Sequence, residues 1–262
     1  MRFTVRVLVL LFGCVVAPLH AVHGQSSADT FTLDARVALD MYRATVEARL
    51  QGVLATTRII AATPEARSAD WTRVREPLAA LAASTPDSAA VWFVRPEGSY
   101  FTVEKGATGE SLRERAYFAD LLAGRDVVGA LVISKSTGKR SLIVASPVVA
   151  DGKMAGAVGV SLDAASVAAS LDGALGLPKD IIFYALDGKG RTAIHRAGDL
   201  IFAFPSDVGS PTLGDAVKTM LAQPEGVVRY AYGGSDRTAV FRHSALTGWV
   251  LVLGKAHAAP EL

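Results

Sequence analysis

The sequence predicts an α+β fold in which a long N-terminal helix precedes two modules, each a five-stranded antiparallel sheet with helices. Three observations predict it. Apolar residues from about residue 28 to residue 62 recur close to the 3.6-residue helical period. Beyond residue 90, short runs rich in β-branched and aromatic residues are separated by turns that contain glycine. The order hairpin, helix, hairpin, strand then occurs twice, which predicts two sheets built on one plan.

Composition excludes several classes of protein. Of the 262 residues, 50% are hydrophobic and 20% are charged, which is typical of a folded chain. Cys14 is the single cysteine, so neither an internal disulfide nor a thiolate metal site is expected. The chain has 27 basic and 25 acidic residues, and Arg2 and Arg6 account for the excess. This balance gives no indication of nucleic-acid binding, and no cofactor is expected.

Residues 1–24 have the features of an export signal. Arg2 and Arg6 precede the apolar run Val7–Val16, which is too short to span a bilayer comfortably. We expect cleavage before Gln25 and hence a periplasmic or secreted protein.

Cys14 allows a second interpretation of this segment. The run Leu11-Phe12-Gly13-Cys14 resembles a bacterial lipoprotein signal, in which the cysteine carries the lipid, although Phe12 fits that pattern poorly. A cleaved signal is therefore favoured. No later stretch of the chain is long and apolar enough to suggest a membrane span, so no output domain is expected.

The N-terminal helix is predicted over residues 28–63, and Pro64 ends it. Its apolar positions are Phe31, Val37, Leu39, Tyr42, Val46, Leu50, Val53, Leu54 and Ile60. This length exceeds that of an ordinary globular helix, so we expect a stalk that packs along more than one module. A second helical pattern, residues 68–83, stops before Pro86.

The first module is predicted over residues 64–175. A hairpin, Val91–Arg95 with Tyr100–Val103, precedes a predicted helix over Glu110–Ala123. Three further strands follow, namely Val127–Ser134, Arg140–Val149 and Met154–Leu162. A helix over 163–171 should then leave the module, since Gly173, Gly176 and Pro178 mark a boundary.

The second, smaller module is predicted over residues 176–255, with a tail over residues 256–262. The predicted helix lies near Thr212–Ala222. The predicted strands are Ile181–Leu186, Arg191–His195, Gly226–Tyr232, Arg237–Arg242 and Trp249–Leu253.

Several motifs of the first module form a family pattern. They are Arg115-Ala116-Tyr117-Phe118, Ser134, Ser136-Thr137-Gly138-Lys139, Ala145-Ser146-Pro147-Val148, Asp151-Gly152 and Gly156–Val160. In these motifs and in its plan, the chain resembles the double Cache family over residues 30–255. Members of this family are extracytoplasmic sensor modules with two PAS-like sheets on a long N-terminal helix. The resemblance implies that the Arg-x-aromatic-aromatic group opens the ligand pocket of the membrane-distal module and that the last strand of this module supplies an acid.

The chemistry of Arg115, Tyr117 and Phe118 agrees with this implication. A forked cation beside flat apolar walls suits a small carboxylate. The alternative from the residues alone is that Tyr117 and Phe118 pack the helix onto the sheet while Arg115 points to solvent. Ser134 is expected at the end of a strand facing the pocket, although an ordinary serine beside a turn explains it equally well.

Departures from the family pattern put an amino acid ligand in doubt. Family members that bind amino acids have a tyrosine five residues before the arginine and an aspartate on the final strand. Here these places fall on Glu110 and Ser161. Asp163 would share a strand face with Ser161, but capping the following helix is the favoured role for it.

Other signals are set aside. Ser136–Lys139 lies between two strands, so a hairpin turn is favoured over a phosphate loop or the Ser-x-x-Lys pair of an acylase. The histidines beyond residue 24, His195, His243 and His257, are too scattered for a metal site. Gly152–Gly159 indicates a buried strand closely approached by another backbone. Tyr230 and Tyr232 make one sheet face aromatic, for which core packing is favoured over a second ligand site.

The sequence thus predicts a ligand-binding sensor domain and no enzyme. Arg115, Tyr117, Phe118, Ser134, Ser161 and Asp163 are the candidate ligand-binding residues. An organic acid, an amino acid or a similar metabolite is the expected ligand, and a membrane-bound signalling protein is a candidate partner. The alternative is an interaction module that keeps the fold without a functional pocket. An exported hydrolase is disfavoured because no nucleophile, base and orienting group can be assembled.

Overall fold

The computed structural model describes residues 34–257, so the predicted export signal, Cys14 and most of the predicted tail lie outside the described residues. The long helix α1 spans Ala35–Ala61 and begins at Asp34, whose carboxylate accepts a hydrogen bond from Arg36 N at 2.7 Å. Its buried positions follow the predicted stripe and include Leu39, Tyr42, Val46, Leu50, Leu54 and Ile60. The short helix α2, Pro64–Arg67, and α3, Trp71–Ser84, follow it.

The first sheet has six strands in the order β3-β2-β1-β6-β5-β4, and all neighbouring strands are antiparallel. The strands are β1 Ser88–Val94, β2 Ser99–Thr102, β3 Gly106–Ser111, β4 Val127–Ile133, β5 Arg140–Ala150 and β6 Lys153–Asp163.

The first sheet has six strands instead of the predicted five, because residues 106–111 form β3. The helix that was predicted over residues 110–123 is correspondingly shorter. The helix, α4, spans Phe118–Leu122 only. Gly106 and Gly109 have positive φ angles of 69° and 73°, which lets the chain turn back and pair with β2 as an edge strand. The loop that follows carries Leu112 and Tyr117 to the sheet face, where both are buried.

The second sheet has the predicted five strands, again antiparallel, in the order β8-β7-β11-β10-β9. They are β7 Ile181–Leu186, β8 Thr192–His195, β9 Glu225–Tyr232, β10 Ser235–His243 and β11 Val250–Ala256. Helix α5, Ala164–Leu175, connects the sheets, and the predicted module boundary lies at its end. Helices α6, Pro205–Val208, and α7, Pro211–Ala222, lie between β8 and β9.

Helix α1 packs on one face of both sheets, as a stalk helix should. The Tyr42 ring lies 5.3 Å from that of Phe183 on β7, and Thr57 Oγ1 lies 3.0 Å from Ser146 Oγ on β5. The opposite face of each sheet has a separate apolar cluster, the first under α4 and the second under α7. Each sheet therefore has one face covered by α1 and a second face with a core of its own. Within residues 34–257, no helix is long and apolar enough to cross a membrane.

Candidate functional site

A narrow cleft, of about 10 Å³, lies on the face of the first sheet that points away from α1. Side chains from five of the six strands and from the loop before α4 line it. Among them are Trp92, Tyr100, Arg115, Tyr117, Ser134 and Ser161. The structure thus brings together four of the six predicted site residues, from three separate parts of the chain.

Arg115 is the cation of the cleft. One terminal nitrogen, Nη2, donates a hydrogen bond to the Ile133 carbonyl oxygen at 2.7 Å, which fixes the guanidinium beside the end of β4. The Nε atom is buried and has no hydrogen-bond partner among residues 34–257. A buried donor without a partner is costly, so an acceptor that enters the cleft would gain a favourable interaction here.

Three aromatic residues form the walls. Trp92 and Tyr100 come from the β1–β2 hairpin, and the Tyr117 ring lies 6.5 Å from that of Trp92. Burial raises the pKa of Tyr117 well above its usual value, although the Arg115 charge opposes this, so the phenol stays neutral. The walls are flat, uncharged surfaces beside the Arg115 guanidinium.

Ser161 lies at the base of the cleft on β6. Its hydroxyl accepts a hydrogen bond of 3.1 Å from Trp92 Nε1, and the serine is 5% exposed. This contact holds the indole in place. Ser161, which was expected at the place of the family's aspartate, is thus a neutral hydroxyl that already has a partner.

Ser134 has both of the roles that were considered for it. It lines the cleft, and its hydroxyl also accepts a hydrogen bond of 3.3 Å from Thr137 N in the turn between β4 and β5. Gly138 N donates to Ser134 O at 2.8 Å and closes that turn. The run Ser136–Lys139 is therefore a hairpin turn, as predicted, and no helix follows it.

Two predicted site residues, Phe118 and Asp163, do not line the cleft. Phe118 is 1% exposed and packs in the core under the sheet. Asp163 caps α5 by accepting hydrogen bonds from Ala165 N at 3.0 Å and Ser166 N at 3.3 Å, which is the role favoured from the sequence. Its other oxygen lies 2.8 Å from Lys139 Nζ. Burial alone would raise the pKa of Asp163, but the Lys139 and Ser166 hydrogen bonds hold it below its usual value.

The charged side chains among the described lining residues of the cleft are all positive. Lys135 joins Arg115 in the lining, and none of the described lining residues is acidic. Glu110, the residue in the family's tyrosine position, lies at the surface with its carboxylate 3.9 Å from Lys135 Nζ. The arrangement suits an anion.

Sequence reasoning missed Trp92, Tyr100 and Lys135. The alternation Ala90, Trp92, Val94 on one face of β1 was available as a signal, but Val91 and Phe93 on the other face are equally apolar. No three His, Cys, Asp or Glu side chains within residues 34–257 are placed to hold a metal ion.

Several solved structures share this fold. The ligand-binding domain of the Pseudomonas aeruginosa PAO1 amino acid chemoreceptor PctB, in complex with L-Arg, has 18% identity and a TM-score of 0.69, with 84% of this chain and 86% of that chain covered. The ligand-binding domain of the Pseudomonas fluorescens chemoreceptor CtaA, in complex with L-isoleucine, has 15% identity and a TM-score of 0.62, with 85% and 89% covered.

A third similar structure is the extracellular ligand binding receptor from Desulfohalobium retbaense DSM5692, with 15% identity and a TM-score of 0.68. The alignment covers 84% of this chain but 40% of that receptor, so this chain spans less than half of the receptor's length. At these identities the likeness shows the fold alone.

Comparison with curated proteins finds no match. A model of the Cache domain family matches residues 24–259. Because this match takes in the long helix and both sheets, the chain belongs to the Cache domain family, in the double form that the motifs predicted.

Proposed function

We propose that the cleft of the first sheet binds a small carboxylate-bearing metabolite and that the protein acts as a sensor domain without catalytic activity. The Cache family consists of ligand-binding sensor domains rather than enzymes, which supports the general assignment. The ligand class rests on Arg115. Its buried Nε has no hydrogen-bond partner among residues 34–257, and none of the described residues that line the cleft is acidic. A carboxylate would supply the missing acceptor and neutralise the guanidinium.

The lining also favours a simple organic acid over an amino acid. An α-ammonium group needs a carboxylate or several carbonyl oxygens around it, and the lining instead contributes Arg115 and Lys135. The chemoreceptor domains above were solved with L-Arg and L-isoleucine, so amino acid binding occurs on this fold. Ser161 and Glu110 stand at the two positions where this chain departs from the amino-acid-binding pattern.

Signalling would run through α1. This helix contacts β5 through the Thr57–Ser146 hydrogen bond and β7 through the Tyr42–Phe183 contact. A ligand that draws the Arg115 loop towards Trp92 would change the shape of the first sheet and thus its packing on α1. We propose that a membrane-bound signalling protein detects this movement.

Matched ligands test the proposal at a single functional group. Propionamide has an amide in place of the carboxylate of propionate, and L-alanine has an added ammonium group. Calorimetric titration of each compound into the purified protein gives three affinities. We expect propionate to bind most tightly and Arg115→Gln to weaken it about tenfold or more. Arg113→Gln is the matched control because Arg113 is exposed in the same loop and lies outside the cleft.

Two outcomes would overturn the proposal. Tighter binding of L-alanine than of propionate would restore the amino acid ligand. An absence of binding by any small acid or amino acid, in a protein that unfolds cooperatively, would favour the interaction module without a functional pocket.

We also propose that the protein is exported, either as a soluble chain after cleavage before Gln25 or with a lipid on Cys14. The extracytoplasmic place of the Cache family and the apolar run Val7–Val16 support export. Intact mass measurement of the protein from cells distinguishes the two forms, since the lipid-bearing form would begin at Cys14 and the soluble form at Gln25. An unprocessed Met1 on the exported protein would contradict both.

A further inference from the structure

A second cavity, of about 50 Å³, lies under the second sheet. Its lining comes from strands β7 to β10 and from the segment that runs from Leu200 into α7. The two sheets share one strand order. Strands β7 and β8 take the places of β1 and β2, and strands β9 and β10 take the places of β4 and β5. The first cleft is lined by β1, β2, β4 and β5. The cavity therefore occupies in the second module the position that the cleft occupies in the first.

Arg237 supplies the cavity with a positive charge. It pairs directly with Tyr230 across β10 and β9, so both side chains point to the same face of the sheet. Its Cζ atom lies 5.4 Å from the centre of the Tyr232 ring, and its Nε is buried without a hydrogen-bond partner among residues 34–257. No acidic residue is among the described lining residues. The cavity thus repeats the combination found at Arg115, a partly unpartnered guanidinium beside aromatic rings.

Neutral polar groups surround this charge. The hydroxyls of Tyr184 and Tyr230 lie 3.3 Å apart, and burial raises the pKa of both phenols, so neither carries a negative charge. His195 stacks on Tyr184 with ring centres 5.7 Å apart. Its Nδ1 accepts a hydrogen bond of 2.8 Å from Ala197 N, which places the proton of the neutral ring on Nε2. These groups can donate hydrogen bonds to an acceptor but offer no anion to a cation.

The rest of the lining is apolar. It consists of Ile182, Leu200, Ala203, Pro205, Val208 and Leu213, beside Thr192. Such a lining suits a flat hydrocarbon or aromatic body rather than a hydrated one. The apolar walls beside a single cation therefore favour a ligand with one charged end and an apolar remainder.

The chain between the lining residues Leu200 and Ala203 is held in a strained form. Phe202 has a φ of 70°, which is uncommon for a residue other than glycine. Two hydrogen bonds to Thr192 maintain it, because Phe202 N donates to Thr192 O at 2.8 Å and Thr192 N donates to Ala203 O at 2.9 Å. Backbone strain of this kind persists where surrounding contacts enforce it, and it is frequent at binding sites.

We propose that this cavity is a second binding site, which takes a monocarboxylate with a flat apolar body and pairs its carboxylate with Arg237. One cation in the lining matches one negative charge, and the absence of acidic groups from the described lining disfavours amines and amino acids. The proposal does not depend on a ligand at Arg115, because the two cavities share no residue.

Three isosteric probes test the charge requirement. Benzoate, benzamide and benzylamine share the ring and differ in the charge of the substituent, and calorimetric titration into the purified protein at pH 7 gives the three affinities. We expect benzoate to bind at least about tenfold more tightly than either of the others, since only benzoate can pair with the guanidinium. Equal affinity for benzamide and benzoate would overturn the carboxylate assignment.

Two charge-removing variants locate the site. Arg237→Gln should weaken benzoate binding about tenfold or more, while Arg229→Gln should leave it unchanged, because Arg229 is exposed on the opposite face of β9. Both variants are compared in an Arg115→Gln background, which removes the cation of the first cleft and leaves the second site to be measured by itself. Benzoate binding that survives Arg237→Gln in that background would refute the proposal.

A measurement on the unmodified protein covers the case in which Arg237→Gln fails to fold. Since His195 lines the cavity, bound benzoate should shift its imidazole resonances in the NMR spectrum, and the shift should saturate with the calorimetric affinity. Imidazole resonances that do not move at millimolar benzoate would place any binding elsewhere and overturn the proposal.

Discussion

Trp92 on β1 and Gly159 on β6 lie directly opposite each other, and the indole fills the space that a side chain at residue 159 would need. A Cβ atom built at residue 159 would lie 2.1 Å from the Trp92 ring. Gly156 lies diagonally across from Phe93, which pairs with Val158, and a Cβ atom at residue 156 would lie 2.4 Å from the Phe93 ring. Each glycine thus accommodates one aromatic residue of β1, and the two aromatics lie on opposite faces of the sheet. The Gly152–Gly159 segment was predicted to be approached by another backbone; the close neighbours of Gly156 and Gly159 are instead mainly the Phe93 and Trp92 side chains.

Replacing Gly159 with alanine should therefore destabilise the protein and distort the cleft. The added methyl group must displace a buried indole, and overpacking of this kind costs about 1–3 kcal/mol. We expect Gly159→Ala to lower the free energy of unfolding in urea by that amount and to weaken propionate binding. Gly188→Ala is the control, because Gly188 is exposed and a Cβ there meets nothing within 4 Å. Equal stability of the two variants would show that the indole can move without cost.

Asp87 connects α1 to the first module through a largely buried ion pair. Its side chain is 7% exposed, forms an ion pair with Arg49 of α1 and accepts a hydrogen bond of 3.2 Å from Ser170 of α5. Asp87→Asn removes the charge that compensates the guanidinium. We expect it to lower the free energy of unfolding by about 2 kcal/mol, less than for a fully buried pair because Arg49 is 31% exposed.

An exposed ion pair gives the matched control for Asp87. Asp215 and Lys218 form a 2.9 Å contact on α7 with side chains 75% and 80% exposed. Asp215→Asn should change the free energy of unfolding by less than about 1 kcal/mol. If Asp87→Asn were as mild as Asp215→Asn, this ion pair would contribute little to the attachment of α1.

The sequence allowed most of the fold to be predicted because local patterns determine most of it. The stripe from Leu39 to Ile60 defined α1, and glycine-containing turns separated the strands of the second sheet. Strand β3 escaped prediction because an edge strand needs no apolar alternation and this one is nowhere buried. The helix that was predicted to begin at Glu110 does not form there, because the pairing of β3 with β2 overrides a weak local preference for helix.

The candidate site was predictable only in part. Arg115 and Tyr117 stood out as a motif, whereas Phe118, the next residue, points into the core instead of the cleft. Which neighbour faces a cavity depends on the local path of the chain, which residue types do not encode. Tyr230 and Tyr232 were expected to be core residues, and they do pack in an apolar cluster, but they also border a cavity that only the tertiary arrangement of β9 and Leu213 creates.

The buried ring of His195 should make the protein sensitive to mild acid. Burial lowers the pKa of His195 from 6.5 to about 4 in the folded protein, and the nearby Arg237 charge acts in the same direction. Between these two values the unfolded chain binds a proton that the folded protein does not, so stability falls as the pH decreases from 6.5 towards 4. At about 1.4 kcal/mol per pH unit, the loss reaches about 3 kcal/mol at pH 4.

His195→Gln should flatten this dependence, because glutamine does not titrate. Urea unfolding of both proteins at pH 7, 5.5 and 4 measures it, with the slope of free energy against pH as the readout. Asp163 contributes in a lower pH range, since its lowered pKa gives stability that is lost as the pH falls below the usual carboxylate value. A His195→Gln variant that still loses about 3 kcal/mol by pH 4 would assign the acid sensitivity to the carboxylates instead of to the buried imidazole.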